Sequence, residues 1–166
     1  MAKYFDVHPD NPQARALRQV VEIIRADGLI AYPTDSCFAL GCRMGNKAGL
    51  DRIREIRHLD DRHHFTLMCR DFAQLGQFVQ INNASFRAVK AATPGPYTFI
   101  LPATKEVPRR LLHPKKRTVG VRIPDHVVDA VLDAGDCGTE PTTVVDWTQG
   151  YPEVVRVGAG DTARFA

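Results

Sequence analysis

Leu29-Ile30-Ala31-Tyr32-Pro33-Thr34-Asp35-Ser36-Cys37-Phe38-Ala39-Leu40-Gly41 is the stretch on which the fold turns. Leu29 to Tyr32 reads as a buried strand, and Pro33, which has no N–H to give a sheet ladder, ends it or sets it at an edge. Two hydroxyls and a carboxylate follow at once, then an apolar run that returns to the core. Small polar groups held by a rigid turn at the end of a buried strand are well placed to meet a ligand. The competing local account is an Asx or Ser/Thr turn, in which Thr34 and Ser36 only satisfy their own backbone. On local evidence alone the turn is favoured.

Outward from that stretch the chain alternates helical and extended patterns. Asn11-Pro12 reads as an N-cap with proline at the first helical position, and Leu17, Val20, Val21 and Ile24 share a helical face that Gly28 closes. A second helix is expected over Ala48 to Arg57 and a strand over Phe65 to Cys69. Asp71 is expected to cap a helix through Phe78, and Asn83 another through Val89, closed by Thr93-Pro94-Gly95. Strands then follow at Tyr97 to Leu101, Thr118 to Ile123, Val128 to Leu132, Thr143 to Asp146 and Val154 to Val157. Helices interleaved with strands, then strands in succession, predict one α/β, α+β-like domain over 1–166 on a mixed sheet.

Composition bounds the function. With 44% hydrophobic residues in 166, the chain can bury a core, and its longest apolar runs are too short to span a bilayer. Met1 to Asp6 has no signal-like apolar core, so a cytoplasmic, membrane-free protein is expected. Cys37, Cys42, Cys69 and Cys137 lack both C-x-x-C spacing and a completing His pair, so free thiols and no structural metal are expected. The formal charge is only +3, but it is unevenly spread. Lys105, Arg109, Arg110, Lys115, Lys116 and Arg117 share one short segment whose only acid is Glu106. Such a run is either a solvated loop or a surface for phosphates and RNA backbone. The common nucleotide signatures are missing: there is no G-x-x-x-x-G-K-[ST], and Gly158-Ala159-Gly160 has no helix after it to make a Rossmann turn.

Five blocks taken in order carry a resemblance. They are Tyr32-Pro33-Thr34-Asp35-Ser36 through Gly41, Pro94-Gly95-Pro96-Tyr97-Thr98, Val119-Gly120-Val121-Arg122-Ile123-Pro124, Pro141-Thr142-Thr143-Val144-Val145-Asp146, and Val155-Arg156-Val157-Gly158. Together they resemble the YrdC-like family, threonylcarbamoyl-adenylate synthase-like proteins. Ile53 to Asp60 and Phe65 to Arg70 look most like its YciO branch. The resemblance implies a YrdC/RibB-like fold, a twisted mixed sheet with helices packed on it and a concave, partly basic face.

It also implies chemistry. YrdC-like synthases join L-threonine, bicarbonate and ATP with Mg²⁺ into threonylcarbamoyl-adenylate, on the way to the threonylcarbamoyl modification of tRNA. Such a reaction needs positioning and charge neutralisation and no nucleophilic side chain. By resemblance Thr34, Arg122 and Thr142 would bind the amino-acid substrate at one pocket. Thr118 and Arg156 match positions that serve the nucleotide, and where the family's lysine–arginine motif is lost, Arg57 and His63, with Arg54 and Arg62, would supply the charge from a differently used helix face. Structured RNA, double-stranded or transfer RNA, would meet Arg109, Arg110, Lys115, Lys116 and Arg117.

Each threonine has an alternative as an ordinary turn or strand residue, and Arg156 as a surface residue. Arg122 is the hardest to set aside, because a cation between Val121 and Ile123 needs a partner for its charge. Two departures stand against the matches. Where the synthases carry K-x-R-P, this chain has Arg57-His58-Leu59-Asp60, which replaces one cation by leucine and adds a carboxylate, weakening a triphosphate site. In addition, a few dozen residues of the family have no counterpart at Val127-Val128, where an omitted segment is expected. Catalysis is therefore left open against two alternatives: a non-catalytic RNA-binding module, and nucleotidyl transfer to another small carboxylated substrate.

Overall fold

The computed structural model describes residues 2–8, 11–60, 63, 65–125 and 139–165, and these fall into two compact units. The expected junction at Val127-Val128 and the strand expected at Val128 to Leu132 lie outside the described residues.

In the first unit, helix α1 (Ala14–Arg25) packs on β1 (Ile30–Tyr32), which pairs antiparallel with β2 (Ala39–Gly41), and α2 (Lys47–Arg57) packs on β2. Helix α1 starts later than Asn11-Pro12 suggested: its N-cap is Gln13, and the Asn11 N–H bonds instead to His8 Nδ1. Its end is a Schellman turn in which Asp27 takes the left-handed conformation (φ 61°) and the Gly28 N–H reaches the Ile23 carbonyl at 2.8 Å. Gly28 is required for closeness rather than for φ. A Cβ there would sit 2.5 Å from Ile23 Cγ2. Helix α2 is capped by Asn46, whose side chain accepts from the Gly49 N–H and donates to the Asp27 carbonyl, tying the end of α1 to the start of α2.

The second unit is built on a five-stranded sheet ordered β3-β5-β4-β6-β7. Its strands are β3 (Thr66–Met68), β4 (Tyr97–Pro102), β5 (Thr118–Arg122), β6 (Thr143–Asp146) and β7 (Glu153–Arg156). The pairs β3/β5 and β4/β6 are parallel and β4/β5 and β6/β7 antiparallel, so the sheet is mixed, as expected. Helices α3 (Phe72–Phe78) and α4 (Asn83–Ala92) lie between β3 and β4 in the chain. Asp71 caps α3 as predicted, and the Gln74 amide, then Arg70, hold its carboxyl below the usual range. The cap of α4 is Asn82, one residue earlier than predicted. It forms a capping box with Ser85, which the simpler Asx pattern at Asn83 did not reveal.

Strand alternation divides this sheet into two chemical faces. Register puts Phe99, Leu101, Val119, Val121 and Val145 together on one face, all essentially buried, with Phe165 ring-packed against Tyr97, Phe99 and Trp147. Fully burying each such side chain contributes roughly 1.5–3 kcal/mol. The opposite face is where the polar residues fall.

Candidate functional site

Thr118, Gly120 and Arg122 alternate along β5 on the polar face. The register adds Thr66 and Met68 from β3, Thr98 and Ile100 from β4, and Val144 and Asp146 from β6. The arginine and Thr142 are each 6% exposed and Thr98 7%, on a sheet whose other side is mainly hydrocarbon.

Thr142 stands immediately before β6. Its Oγ1 lies 3.0 Å from Thr98 Oγ1 and accepts from Arg156 Nη2 at 3.2 Å, while its carbonyl accepts from Arg156 Nε at 3.2 Å and Nη2 at 2.9 Å. The P-T-T and R-V-G blocks are thus one structure. Next to this clamp, the Gly158 N–H donates to Thr143 Oγ1 (3.0 Å), which donates to the Gly160 carbonyl (2.6 Å), and the Ala159 N–H bonds to the Pro141 carbonyl. A Cβ on Gly158 would lie 2.1 Å from the Pro141 carbonyl oxygen, so only glycine permits this approach.

A bulge in β7 is what brings Arg156 to this face. Val145 opposes Val154 and Asp146 opposes Glu153, but Val144 opposes Arg156, leaving Val155 as the extra residue. With an unbroken register Arg156 would stand opposite Thr143, which shares its face with Phe99. An inserted residue re-aims every side chain beyond it. No sequence signal marked this.

Thr118 lies at the other end of β5 from Arg122, about 13 Å away at roughly 3.3 Å per residue. Its hydroxyl is buried, at 2% exposure, and has no hydrogen-bond partner among the described residues. Thr118 and Arg156, both expected at the nucleotide, therefore stand at opposite ends of the polar face. Next to Thr118 the chain is the basic connection from β4, with Arg109, Arg110, Lys115, Lys116 and Arg117 all exposed.

Thr34 belongs to the first unit and is 2% exposed. Its hydroxyl donates to the Cys37 carbonyl at 2.7 Å and accepts from the N–H groups of Ser36 and Cys37, each at 3.3 Å. With its single proton spent, it accepts from Ser36 Oγ, 3.0 Å away. The local Ser/Thr turn is what the geometry displays. Arg57 ends α2, exposed, and His58 takes a left-handed C-cap (φ 51°), while Leu59 is half-buried and Asp60 exposed. His63, in the second unit, is exposed and meets Phe65 edge to face.

Cys37, Cys42 and Cys69 are free thiols. Burial, with Asp71 nearby, pushes the Cys69 thiol up to about 12, and burial with Asp27 raises Cys42. Among the described residues, no three metal-ligating side chains converge, and no helix is long and apolar enough to cross a membrane.

Fold and face together define a class: a mixed α/β protein that sets a buried arginine and a threonine pair on the polar side of its sheet. The chain belongs to the Sua5/YciO/YrdC family, whose model, described as telomere recombination, matches residues 22–128. It is 42% identical to YciO of Escherichia coli K12 over 205 residues, covering 99% of this chain and 100% of that protein. That alignment is longer than the 166 residues present, so it runs through positions with no counterpart here. The crystal structure of E. coli YciO superposes with a TM-score of 0.93 at 41% identity over 100% of both chains. A threonylcarbamoyl-AMP synthase of Nitrosococcus oceani is 38% identical over 117 residues, 70% of this chain and 63% of that protein. The Sua5 of P. abyssi, solved in complex with L-threonine, shares the fold at TM-score 0.83 and 22% identity, over 95% of this chain and 58% of that one.

Proposed function

We propose that this chain binds a nucleotide and a small carboxylated amino acid and joins them by nucleotidyl transfer. The reaction is related to L-threonylcarbamoyl-adenylate synthesis, with structured RNA, double-stranded or transfer RNA, as the macromolecular partner. The observation that carries it is Arg122, a guanidinium 6% exposed at the end of β5, on the face that holds the Thr98–Thr142 pair. A planar guanidinium suits a carboxylate bidentately. The likeness to a threonylcarbamoyl-AMP synthase supports the reaction class.

In this reading Arg122 takes the amino-acid carboxylate and Thr142 its polar end, while Thr34 holds the turn of its own loop. Thr118, Arg156, Arg57 and His63 serve the nucleotide. The amino group takes up bicarbonate with loss of water to give a carbamate, whose oxygen attacks the α-phosphate as pyrophosphate leaves. Mg²⁺ brought in with the ATP would neutralise part of the phosphate charge. A second reading, transfer to a different small carboxylated substrate, is favoured by Leu59 and Asp60, which stand where the synthases carry arginine and proline.

The test is pyrophosphate release from ATP with bicarbonate and L-threonine, compared with other amino acids. Release that depends on L-threonine and is lost in Arg122→Met is expected. Release with another carboxylated substrate selects the second reading, and release unchanged in Arg122→Met removes the site assignment.

A further inference from the structure

Thr142 is held by a group that only donates. Arg156 gives Nη2–H to the Thr142 hydroxyl at 3.2 Å, and Nε–H and Nη2–H to its carbonyl at 3.2 Å and 2.9 Å. A guanidinium has no acceptor atom, so the Thr142 hydroxyl oxygen spends a lone pair on it. The same oxygen lies 3.0 Å from Thr98 Oγ1, a contact in which either hydroxyl could donate. Arg156 decides between them. An oxygen that accepts from a cation becomes a better donor through its own proton and a poorer acceptor, because the bonds of a chain polarise one another. Thr142 therefore donates to Thr98, which leaves Thr98 its own proton to give. The Thr98 hydroxyl makes no other hydrogen bond among the described residues.

That proton stands beside Arg122. The β4/β5 register pairs Phe99 with Val121, and one step further it sets Thr98 level with Arg122 on the polar face. Residues level with each other on antiparallel neighbours have Cβ atoms about 4.5–5.5 Å apart, so an oxygen held by the guanidinium is within reach of the Thr98 hydroxyl. Both side chains are buried, where a hydrogen bond to a charged oxygen is stronger than in water. On the other side of Arg122 the register places Met68, whose thioether has no proton to give.

We propose that Thr98 is a further substrate-binding residue, whose hydroxyl donates to the carboxylate held by Arg122, its proton directed there by the chain Arg156 to Thr142 to Thr98. The proposal rests on the reading of Arg122 as the carboxylate site. Arg156 is then a positioning residue for the amino acid, acting through the two hydroxyls, in addition to any contact with the nucleotide. The chain also sets what Thr142 offers. Having accepted from Arg156 and donated to Thr98, its oxygen keeps one lone pair, which takes a donor such as an amino group. Two donors for a carboxylate beside one acceptor for an amine match an α-amino acid. Its carboxamide lacks the charge that strengthens the bonds from Arg122 and Thr98.

The experiment is a cycle between protein and ligand. Calorimetry without ATP compares L-threonine with L-threoninamide, and each other amino acid of the pyrophosphate assay with its amide, for wild type, Thr98→Val, Thr98→Ser and Arg156→Met. Valine keeps the shape of threonine and removes the proton. It is expected to weaken the acid on the order of tenfold or more, as for a hydrogen bond to a charged group, and the amide by less than about threefold. Serine restores the hydroxyl and should recover most of the preference for the acid. Arg156→Met should lose part of that preference without touching the carboxylate, since Thr98 is then free to donate to Thr142 instead.

Equal losses of acid and amide in Thr98→Val make Thr98 a structural residue and overturn the proposal. An unchanged preference in that variant, or a wild type that binds no carboxylated amino acid, overturns it too. An unchanged preference in Arg156→Met overturns the chain that directs the proton. If thermal melting shows Thr98→Val unfolded, Thr98→Ala repeats the cycle, and the Arg156→Met arm decides if neither folds. Pyrophosphate release is scored separately. A preference that depends on Thr98 without release leaves this contact standing and the proposed reaction fallen. Release that persists in Thr98→Val with an unchanged KM for the amino acid does the reverse.

Discussion

The guanidinium of Arg156 grips the main-chain carbonyl of Thr142 with two nitrogens, at 3.2 Å and 2.9 Å, and its hydroxyl with one, at 3.2 Å. The contact joins β7 to the residue that leads into β6, and it exists because the bulge at Val155 turns Arg156 to the polar face. In this state Arg156 orients Thr142. A nucleotide that contacts Arg156 must share it with Thr142 or take it over.

Arg156→Ala is expected to lower stability by about 1–2 kcal/mol, within the range for hydrogen bonds from a charged group reduced for exposure. Arg156→Lys should recover little of it, since an ammonium cannot make the fork. Urea midpoints for the three proteins check this. A lysine variant as stable as the wild type would show the fork to be dispensable.

Glycine positions give opposite signs at two sites. Gly158→Ala drives a methyl into the Pro141 carbonyl, and a loss of about 1–3 kcal/mol is expected. Gly76, inside α3, has open space around its absent Cβ, so Gly76→Ala should raise stability by about 0.5–1 kcal/mol through helix propensity. Thermal midpoints moving in the same direction for both would contradict this packing.

Thr118→Val separates stability from binding. The buried hydroxyl has no partner among the described residues, so its replacement by an isosteric methyl should raise stability by about 1–3 kcal/mol. If Thr118 serves the nucleotide, ATP affinity falls in the same variant. Unchanged affinity, read by calorimetry, would assign Thr118 to the sheet alone.

The Cys69 thiol is held up to about 12 in the folded chain, mainly by burial, against about 8.5 when unfolded. The folded state therefore retains its proton longer. This contribution is complete below about pH 8.5 and is lost as pH rises toward 12. Cys69→Ala should flatten the alkaline limb of the stability profile relative to wild type, and iodoacetamide at pH 8 should label Cys69 only after unfolding. Rapid labelling of native Cys69 would refute its burial.

Local chemistry made most elements legible. Pro33 ending β1, Asp71 capping α3 and the alternation of β5 are written in neighbouring residues, because caps, turns and pleats act over a few positions. The near-misses have the same scale: Asn82 rather than Asn83 caps α4, because the reciprocal bond from Ser85 settles it, and Asp27 rather than Gly28 takes the left-handed turn. The five blocks, by their order, sufficed for the family, and the basic run was visible in composition.

Only the tertiary structure decided which of these residues share a face. Register is a property of two strands at once, and a shift of one residue reverses every side chain. The bulge at Val155, the Arg156–Thr142 clamp and the approach of Gly158 to Pro141 join positions distant in the chain, so no local pattern could announce them. Likewise the run from Lys105 to Arg117 reads as a charged loop until the hydrogen bonds of His113 and the burial of Val107 and Leu111 show it fixed from below.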